Sequence, residues 1–366
     1  MTEDQPDEEP GAVSRSLYEQ GMTDGLPVVP PTDDQVEEML RGTAHDRDDV
    51  LGRLGNDDTP ITVEKLAANA VMAGCLPPYM PVLEAGIRAL ADPKSNSIQV
   101  SVSTGSWAYQ WLVNGPVREH LDIESSSGAF GPNYHANRTI GRALGLAYKN
   151  TATLRPGEKD MGVMGNPFKF SLLAGENEEE SPWDPYHVTH GHEADESTIT
   201  LAGPNSFIQY FPHENTVDEI LKGMIRNTPP AMVGGEQQGG DIDQTIFHLV
   251  NEYNAEELAA ADVTKQDVKE YICGNSYIRA EDYQKGTLWD GVLRRHEGKA
   301  GPHQVPQIDG PEYVKVAAVG GPGRANAIVG PSIGGPVTKK IEFPEGWADL
   351  VEEFALDRQW FEDSTY

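Results

Sequence analysis

The chain has 366 residues, enough for two domains or one large α/β domain, and 38% of them are hydrophobic. It carries 58 Asp and Glu against 28 Lys and Arg, a formal net charge of −30 that is spread along the sequence. Such a chain repels phosphate groups and has no local basic patch, so nucleic acids and anionic membranes are excluded as partners. The acid excess is typical of a halophilic protein, whose carboxylates hold water and ions in molar salt. The alternative is an ordinary acidic cytosolic protein.

The two cysteines, Cys75 and Cys273, lie far apart and in no CxxC pair, so no disulfide framework or zinc finger is predicted. No apolar run reaches about 18 residues, which predicts a protein without a membrane span. The acidic N-terminus has neither the basic nor the apolar part of a signal peptide. A cytoplasmic location is therefore expected.

Residues 1–15 are acidic and Pro-rich and are predicted to be disordered. Thr32 predicts the N-cap of a first helix, and apolar residues at helical spacing predict helices over 61–74 and 79–92. The segment SIQVSVST, residues 97–104, alternates with period two, which predicts a strand.

Further elements follow from the same two periodicities and from capping residues. Strands are predicted over 107–115, 169–176, 197–203, 207–211 and 313–321, and helices over 131–150, 216–227, 241–254, 265–272 and 346–356. The alternation of strands and helices predicts an α/β fold whose mixed or mainly parallel sheet has flanking helices. We predict a main α/β domain over 16–235 that carries the site, and a smaller C-terminal α+β part over 236–366 that packs on it.

Cys75 is the first candidate for chemistry because it stands between two helices, just before Pro77 and Pro78. A thiol at a helix N-terminus has a lowered pKa, which suits a nucleophile or a soft-metal ligand. The alternative is a small buried side chain at a tight helix corner. Cys273 ends a peripheral helix, and a structural role is expected for it.

The segment GPNYHANRTIGRA, residues 131–143, is the densest polar cluster. Asn133 or Asn137 is expected to cap the helix, whose first amides would then face a ligand. Arg138 and Arg142 share one helix face, so the segment predicts a site for a carboxylate or phosphate. Its histidine, His135, is the candidate proton carrier. The alternative is a polar helix start whose arginines pair with the protein's own acids.

The acidic loop after residue 175 offers a second set of polar side chains: Glu176, Asn177, His187, His190 and His192. Trp183 of the same loop is a candidate ligand-binding residue. His and carboxylate groups together can bind a divalent transition metal, although H-x2-H-x-H is no standard ligand spacing. His187, close to Trp183, is the better candidate for a general acid or base.

No nucleotide cofactor is expected. The spacing GxxxxGK[ST] is absent, and the glycine-rich VGGPGRANA, residues 319–327, follows a strand but is not followed by a helix start.

Six segments between residues 20 and 340 together form a distinctive set: TDGLPVVPPT, MAGCLPPYMPV, VNGP, GAFGPNYHANRTIGRAL, ENEEESPW and AADVTKQDVKEYI. On these segments the chain resembles an uncharacterised prokaryotic family associated with the UGSC group of selenoproteins and cysteine proteins. The resemblance implies thiol- or selenol-linked metabolism of small molecules, including sulfur- or metal-bearing organic compounds. In the family pattern an Arg and a Glu follow the cysteine, where this chain has Leu76 and Pro78. The UGSC tetrapeptide itself is absent, which favours a relative or partner of the selenoprotein.

Three functions fit these residues. The first is an enzyme of lyase or hydrolase type that acts on a small anionic organic molecule, with Cys75 as nucleophile or metal ligand and His135 or His187 moving protons. In it, Arg138 and the 131–138 amides would hold a carboxylate. The second is a non-catalytic ligand- or metal-binding partner of a thiol or selenol redox enzyme. The third is a metal-dependent hydrolase that uses Glu176 and His187. A homo-oligomer is in keeping with the size of the chain.

Overall fold

Two four-stranded mixed sheets and the helices packed on their outer faces form the fold. The computed structural model describes residues 10–228, 245–279, 304–308 and 310–356. The helices in these ranges are α1 Pro10–Glu19, α2 Asp33–Leu40, α3 Val63–Ala73, α4 Met80–Ala91, α5 Ser97–Val102, α6 Val117–His120, α7 His135–Thr151, α8 Val217–Asn227, α9 Glu252–Ala260, α10 Lys265–Asn275 and α11 Trp347–Glu353. The strands are β1 Val50–Leu54, β2 Thr59–Thr62, β3 Gln110–Asn114, β4 Leu173–Gly175, β5 Thr198–Ala202, β6 Phe207–Tyr210, β7 Thr245–Val250, β8 Tyr277–Arg279, β9 Gln304–Pro306, β10 Val314–Ala318, β11 Asn326–Ser332 and β12 Val337–Lys340.

The two large sheets share one pairing pattern. The first has the order β12-β5-β3-β4 and the second β10-β7-β11-β6. In each sheet one edge strand is parallel to its neighbour, β4 on β3 and β10 on β7, and the other pairs are antiparallel. Strand β6 follows β5 in sequence but joins the second sheet, and β12 follows β11 but joins the first. The chain therefore passes from the first sheet to the second after β5 and returns to the first after β11.

Alternation along the strands divides the core into layers. Leu112 of β3 and Phe247 of β7 belong to a cluster between the two sheets, together with small residues such as Ala174 and Ala317. The neighbouring Val113 belongs instead to the cluster that packs the first sheet on α3, α4 and α7. Since successive side chains of a strand point to opposite faces, the layers run helix, sheet, sheet, helix.

Local sequence sets several helix ends as predicted. The Thr32 and Thr62 side chains cap α2 and α3, and Gly74 ends α3 in the left-handed conformation at φ 85°. Thr264 and Asp267 form a complete capping box at the start of α10. The predicted α/β class with mixed sheets and flanking helices is confirmed.

Three predictions about local structure are wrong. Residues 97–102 form the helix α5 rather than a strand, because Asn96 turns the chain at φ 52° and tertiary packing overrides the β-propensity of so short a segment. Residues 245–250 form the strand β7 rather than part of a helix, because this β-branched and aromatic run is buried on both faces. The predicted disorder over 1–15 fails for residues 10–15, which lie in α1; residues 1–9 lie outside the described ranges.

The predicted domain division at 235/236 also lies outside the described ranges. The two sheets do not divide at this point of the sequence. Strand β6 precedes it but joins the sheet of β7, β10 and β11, and β12 follows it but joins the sheet of β3, β4 and β5. Across the described residues, no helix combines the length and the apolar character that spanning a membrane requires.

His248 is an ionisable residue in the core. It lies in β7 between Val316 and Ile328 on the neighbouring strands. Its side chain is fully buried, and neither ring nitrogen has a hydrogen-bond partner among the described residues. Burial lowers the pKa of His248 to about 3, because the imidazolium cannot be solvated there. The folded protein therefore holds this ring neutral.

This burial makes acid destabilising. The pKa of His248 is lower in the folded state than its ordinary value of 6.5. The contribution of the neutral ring to the free energy of unfolding is therefore complete above pH 6.5 and is lost as the pH falls towards 3. We expect the free energy of unfolding of His248→Leu, measured by urea denaturation at constant salt, to fall less steeply below pH 6. The difference should approach about 1.4 kcal/mol per pH unit. The exposed His213→Leu should follow the wild type; equal slopes for wild type and His248→Leu would contradict this account.

Candidate functional site

The residues predicted from sequence occupy two different places. Cys75, His135 and Arg142 lie where the corner between α3 and α4 packs on the first half of α7. Glu176 and His187 follow β4, where the two sheets meet. No hydrogen bond or ion pair within the described residues joins one group to the other, so the structure does not assemble them into a single site.

Cys75 follows the C-terminus of α3, and its amide donates to the Ala70 carbonyl. The turn Pro77–Tyr79 separates it from α4, so the thiol does not stand at a helix N-terminus as expected. Burial raises the pKa of Cys75 to about 12; a hydrogen bond with Thr139 and the charge of Arg142 offset this only in part. The expected lowering of its pKa is therefore wrong, and the buried thiol is protonated at neutral pH. Its catalytic role stays a prediction.

His135 begins α7 and is held by two neighbours. Its Nδ1 lies 3.1 Å from the Tyr79 hydroxyl oxygen, and the ring also bonds to the Gly74 backbone. Partial burial lowers its pKa, so the ring is neutral at pH 7. His135 lines a small cavity of about 60 Å³ together with His120 and Asp122. A neutral, oriented imidazole beside a space of this size can exchange a proton with a water molecule.

Neither predicted asparagine caps α7. The N-cap is Tyr134, without a side-chain hydrogen bond, and Asn133 lies outside the helix at φ 86°. Asn137 lies inside α7 and is fully buried. Its amide accepts from the Glu124 backbone N–H and donates to the carbonyls of Glu124 and Ala129, at 2.9 and 3.1 Å. It thus fixes the preceding loop to the helix.

The two arginines of α7 also bind the chain itself. The Arg138 guanidinium donates to four backbone carbonyls, including that of Leu173 at 2.7 Å. Arg142 makes a two-point salt bridge with Asp24, at 2.7 and 2.9 Å, and donates to the Pro27 carbonyl. These contacts agree with the alternative of a helix start whose basic groups serve the fold.

Glu176 joins the two sheets through a fully buried carboxylate. It accepts from Asn114 Nδ2 and the Tyr186 amide, both at 2.6 Å, from Lys265 Nζ at 3.0 Å and from the Ala318 amide at 3.2 Å. Asn114 ends β3, Ala318 ends β10 and Lys265 begins α10. The buried charge is therefore matched by one ammonium and three further donors.

His187 is fully buried, and neither ring nitrogen has a hydrogen-bond partner in the described part of the chain. Its Nδ1 lies 3.9 Å from Glu178 Oε1, which itself accepts from Asn114 and from the Gly115 amide. Trp183 packs against the second core and donates from Nε1 to the Val263 carbonyl at 3.1 Å.

The other two loop histidines face different partners. His190 stacks on the ring of Tyr186 with centroids 4.0 Å apart, and its Nδ1 lies 2.7 Å from the Tyr186 carbonyl oxygen. His192 pairs with Glu196 at 3.2 Å. Among the residues that the structure describes, no three His, Cys, Asp or Glu side chains converge as metal ligands.

A larger cavity, of about 250 Å³, lies between α7, the segment leading into β3 and the loop 154–170. Aromatic and aliphatic side chains dominate its wall, chiefly Trp107, Tyr109, Trp111, Leu144, Tyr148 and Phe168. The three aromatic residues at 107, 109 and 111 recur with period two, so they share the face of the extended chain that looks towards α7. The ring of Tyr148 meets that of Tyr109 edge-on at 6.0 Å.

Gly145 allows the loop to close this cavity. A Cβ at this position would lie 2.8 Å from the Lys169 carbonyl oxygen, so a side chain would push the loop off the helix. Asn166 holds the same loop by donating from its side chain to the Ser106 carbonyl at 2.9 Å. The wall of the cavity is therefore fixed from both sides.

Charged side chains line the cavity beside its apolar wall. Asp24 is neutralised by Arg142 at 2.7 Å, and Asp160 by Lys169 at 2.5 Å. Lys149 is half-buried and donates to the Gly21 carbonyl, but no described carboxylate lies within ion-pair distance of its Nζ. Burial lowers the pKa of Lys149. Asp24 acts on the charge of Lys149 only at longer range, because no described carboxylate makes a direct ion pair with its ammonium.

Sequence reasoning missed this cavity, although its aromatic wall is visible in the sequence. The pattern W-x-Y-x-W over 107–111 places three large rings on one face, and Gly141 and Gly145 mark a helix face on which other chain packs closely. The loop that completes the wall has no comparable signal.

No family model, curated protein or solved structure matches the chain. The resemblance to the UGSC group stays a prediction.

Lys265 is expected to be essential for stability because it provides the only charge that bonds directly to the Glu176 carboxylate among the described residues. We expect Lys265→Met to lower the free energy of unfolding by about 3 kcal/mol or more, since it leaves a buried charge unpaired. Adding Glu176→Gln should restore part of this loss. Lys222→Met, which breaks an exposed pair with Asp218, should cost less than about 0.5 kcal/mol. Urea denaturation measures all four proteins, and equal losses for the two lysines would contradict the assignment.

The Cys75 thiol is expected to react slowly. A rise from 9.0 to about 12 in its pKa lowers the thiolate fraction, only partly offset by the higher nucleophilicity of a more basic thiolate. We expect iodoacetamide at pH 8 to alkylate Cys75 about 30-fold or more slowly in the folded protein than in urea, as followed by peptide mass spectrometry. Cys75→Ser separates the signal of Cys273. Equal rates for Cys75 in both states would instead support the reactive cysteine predicted from the sequence.

Proposed function

We propose that the protein binds a small, mainly apolar organic molecule in the 250 Å³ cavity between α7 and the first sheet. The observation that carries the proposal is the aromatic wall formed by Trp107, Tyr109, Trp111 and Tyr148. Binding sites for small molecules are concave and mainly apolar, with a few polar groups that fix orientation. Here those groups are the charged side chains along the wall.

The size of the cavity restricts the ligand. An apolar cavity of about 150 Å³ is enough for one benzene ring. A space of about 250 Å³ therefore suits a single ring with one or two substituents, and it is too small for a nucleotide. Ring faces and edges of the wall offer favourable stacking to a planar ligand.

The cysteine-centred enzyme predicted from the sequence has weaker support. The Cys75 thiol is protonated at neutral pH and is not part of the wall of this cavity. Non-catalytic ligand binding, which the sequence also suggested, agrees better with a cavity whose polar groups are mostly paired within the protein. A thiol or selenol protein as partner stays a proposal from the resemblance.

Tryptophan fluorescence tests the proposal directly because Trp107 and Trp111 line the cavity. We expect single-ring neutral compounds such as benzamide, benzyl alcohol and toluene to change the emission in a saturable way. Val100→Phe, which places a larger side chain in the wall, should weaken this binding at least tenfold.

Val50→Phe is the matched control, since Val50 is 53% exposed and lies on β1, away from the cavity wall. Circular dichroism and urea denaturation establish that both variants are folded. The proposal is overturned if no compound gives a saturable change, or if Val100→Phe binds as tightly as the control.

A further inference from the structure

The charged side chains in the wall of the cavity are two carboxylates, Asp24 and Asp160, and two ammoniums, Lys149 and Lys169. The chain carries a formal charge of −30, yet Asp24 and Asp160 are each neutralised by a basic side chain. What is left is the ammonium of Lys149. Arg155, an exposed residue that flanks the lining residues Leu154 and Pro156, acts on Lys149 as a like charge.

Lys149 has hydrogen-bonding capacity that the described part of the chain does not use. An ammonium has three N–H donors, and the structure gives that of Lys149 one acceptor, the Gly21 carbonyl. The residue lies in the last turn of α7 and lines the cavity. A half-buried cation without a direct ion pair among the described residues is poorly solvated, so an anionic group placed here would be bound more tightly than at an exposed lysine.

We infer that the ligand of this cavity is an aromatic monocarboxylate, with its ring against the aromatic wall and its carboxylate on Lys149 Nζ. The inference rests on the proposed function and adds the chemical class of the ligand. A dianion is disfavoured because one ammonium without a direct ion pair matches one negative charge, while the Asp24 and Asp160 carboxylates line the same cavity.

An organic cation fits this cavity less well. Aromatic rings attract ammonium groups, but the Lys149 ammonium in the cavity wall repels them. A neutral ligand would fill the apolar space and leave the Lys149 ammonium as it is. The anion gains both contacts, and this difference can be measured with compounds of nearly equal size.

The experiment is a fluorescence titration with benzoate, benzamide and benzylamine at one fixed potassium chloride concentration and pH 7.5. We expect benzoate to bind at least tenfold more tightly than benzamide, and benzylamine to bind most weakly. Phenyl phosphate, largely a dianion at this pH, should bind more weakly than benzoate.

Lys149→Gln tests the role of the ammonium. It should bring benzoate to the affinity of benzamide and leave the affinity for benzamide unchanged. Lys65→Gln is the matched control, since Lys65 is an exposed helical lysine whose Nζ also donates to a backbone carbonyl, that of Pro60. It should change none of the affinities.

The outcomes separate the two proposals. If none of the compounds binds, the cavity is not a binding site and both proposals fail. If benzamide binds as tightly as benzoate, or if Lys149→Gln weakens both equally, the carboxylate class is wrong while binding in the cavity stands. Tightest binding by phenyl phosphate would likewise overturn the carboxylate and assign the site to a phosphate ester.

Discussion

The buried carboxylate of Glu176 is the constraint on which the arrangement of the two sheets depends. It follows β4 of the first sheet and accepts a hydrogen bond from the amide of Ala318, the last residue of β10 in the second. The backbone N–H of the next residue, Asn177, donates to the Ala318 carbonyl at 2.8 Å. A charge taken out of water is tolerated only where donors surround it, so these contacts hold the strand ends at one relative position.

With this junction fixed, the two faces of the first sheet serve different purposes. The inner face, with Leu112 and small residues such as Ala174, packs on the second sheet. The outer face carries Trp111 towards α7, where the 250 Å³ cavity remains. Rigid anchoring matters for such a cavity, because a binding site is precise when its wall is held by regular elements and not by loops alone. Here α7, itself tied down by Arg138 and Asn137, forms one side.

Local signals in the sequence predicted the α/β class and the capped helices because caps such as Thr62 act within a few residues. They failed for β7, where burial on both faces removes the alternation that marks a strand, and for α5. Contacts between distant segments carry no local signal. Arg142, predicted as a ligand contact, pairs with Asp24, 118 residues away, and the aromatic pattern around Tyr109 does not show which loop covers it.

The late return of the chain to the first sheet, through β12, has a consequence for how the protein is made on the ribosome. Strand β5 lies between β3 and β12 in the first sheet, so one of its edges has no partner until residues 337–340 emerge, well over a hundred residues later. An unpaired strand edge is a template for pairing with other chains. The nascent protein therefore exposes such an edge while more than a third of the chain is synthesised, and repulsion between acidic chains opposes association in that interval.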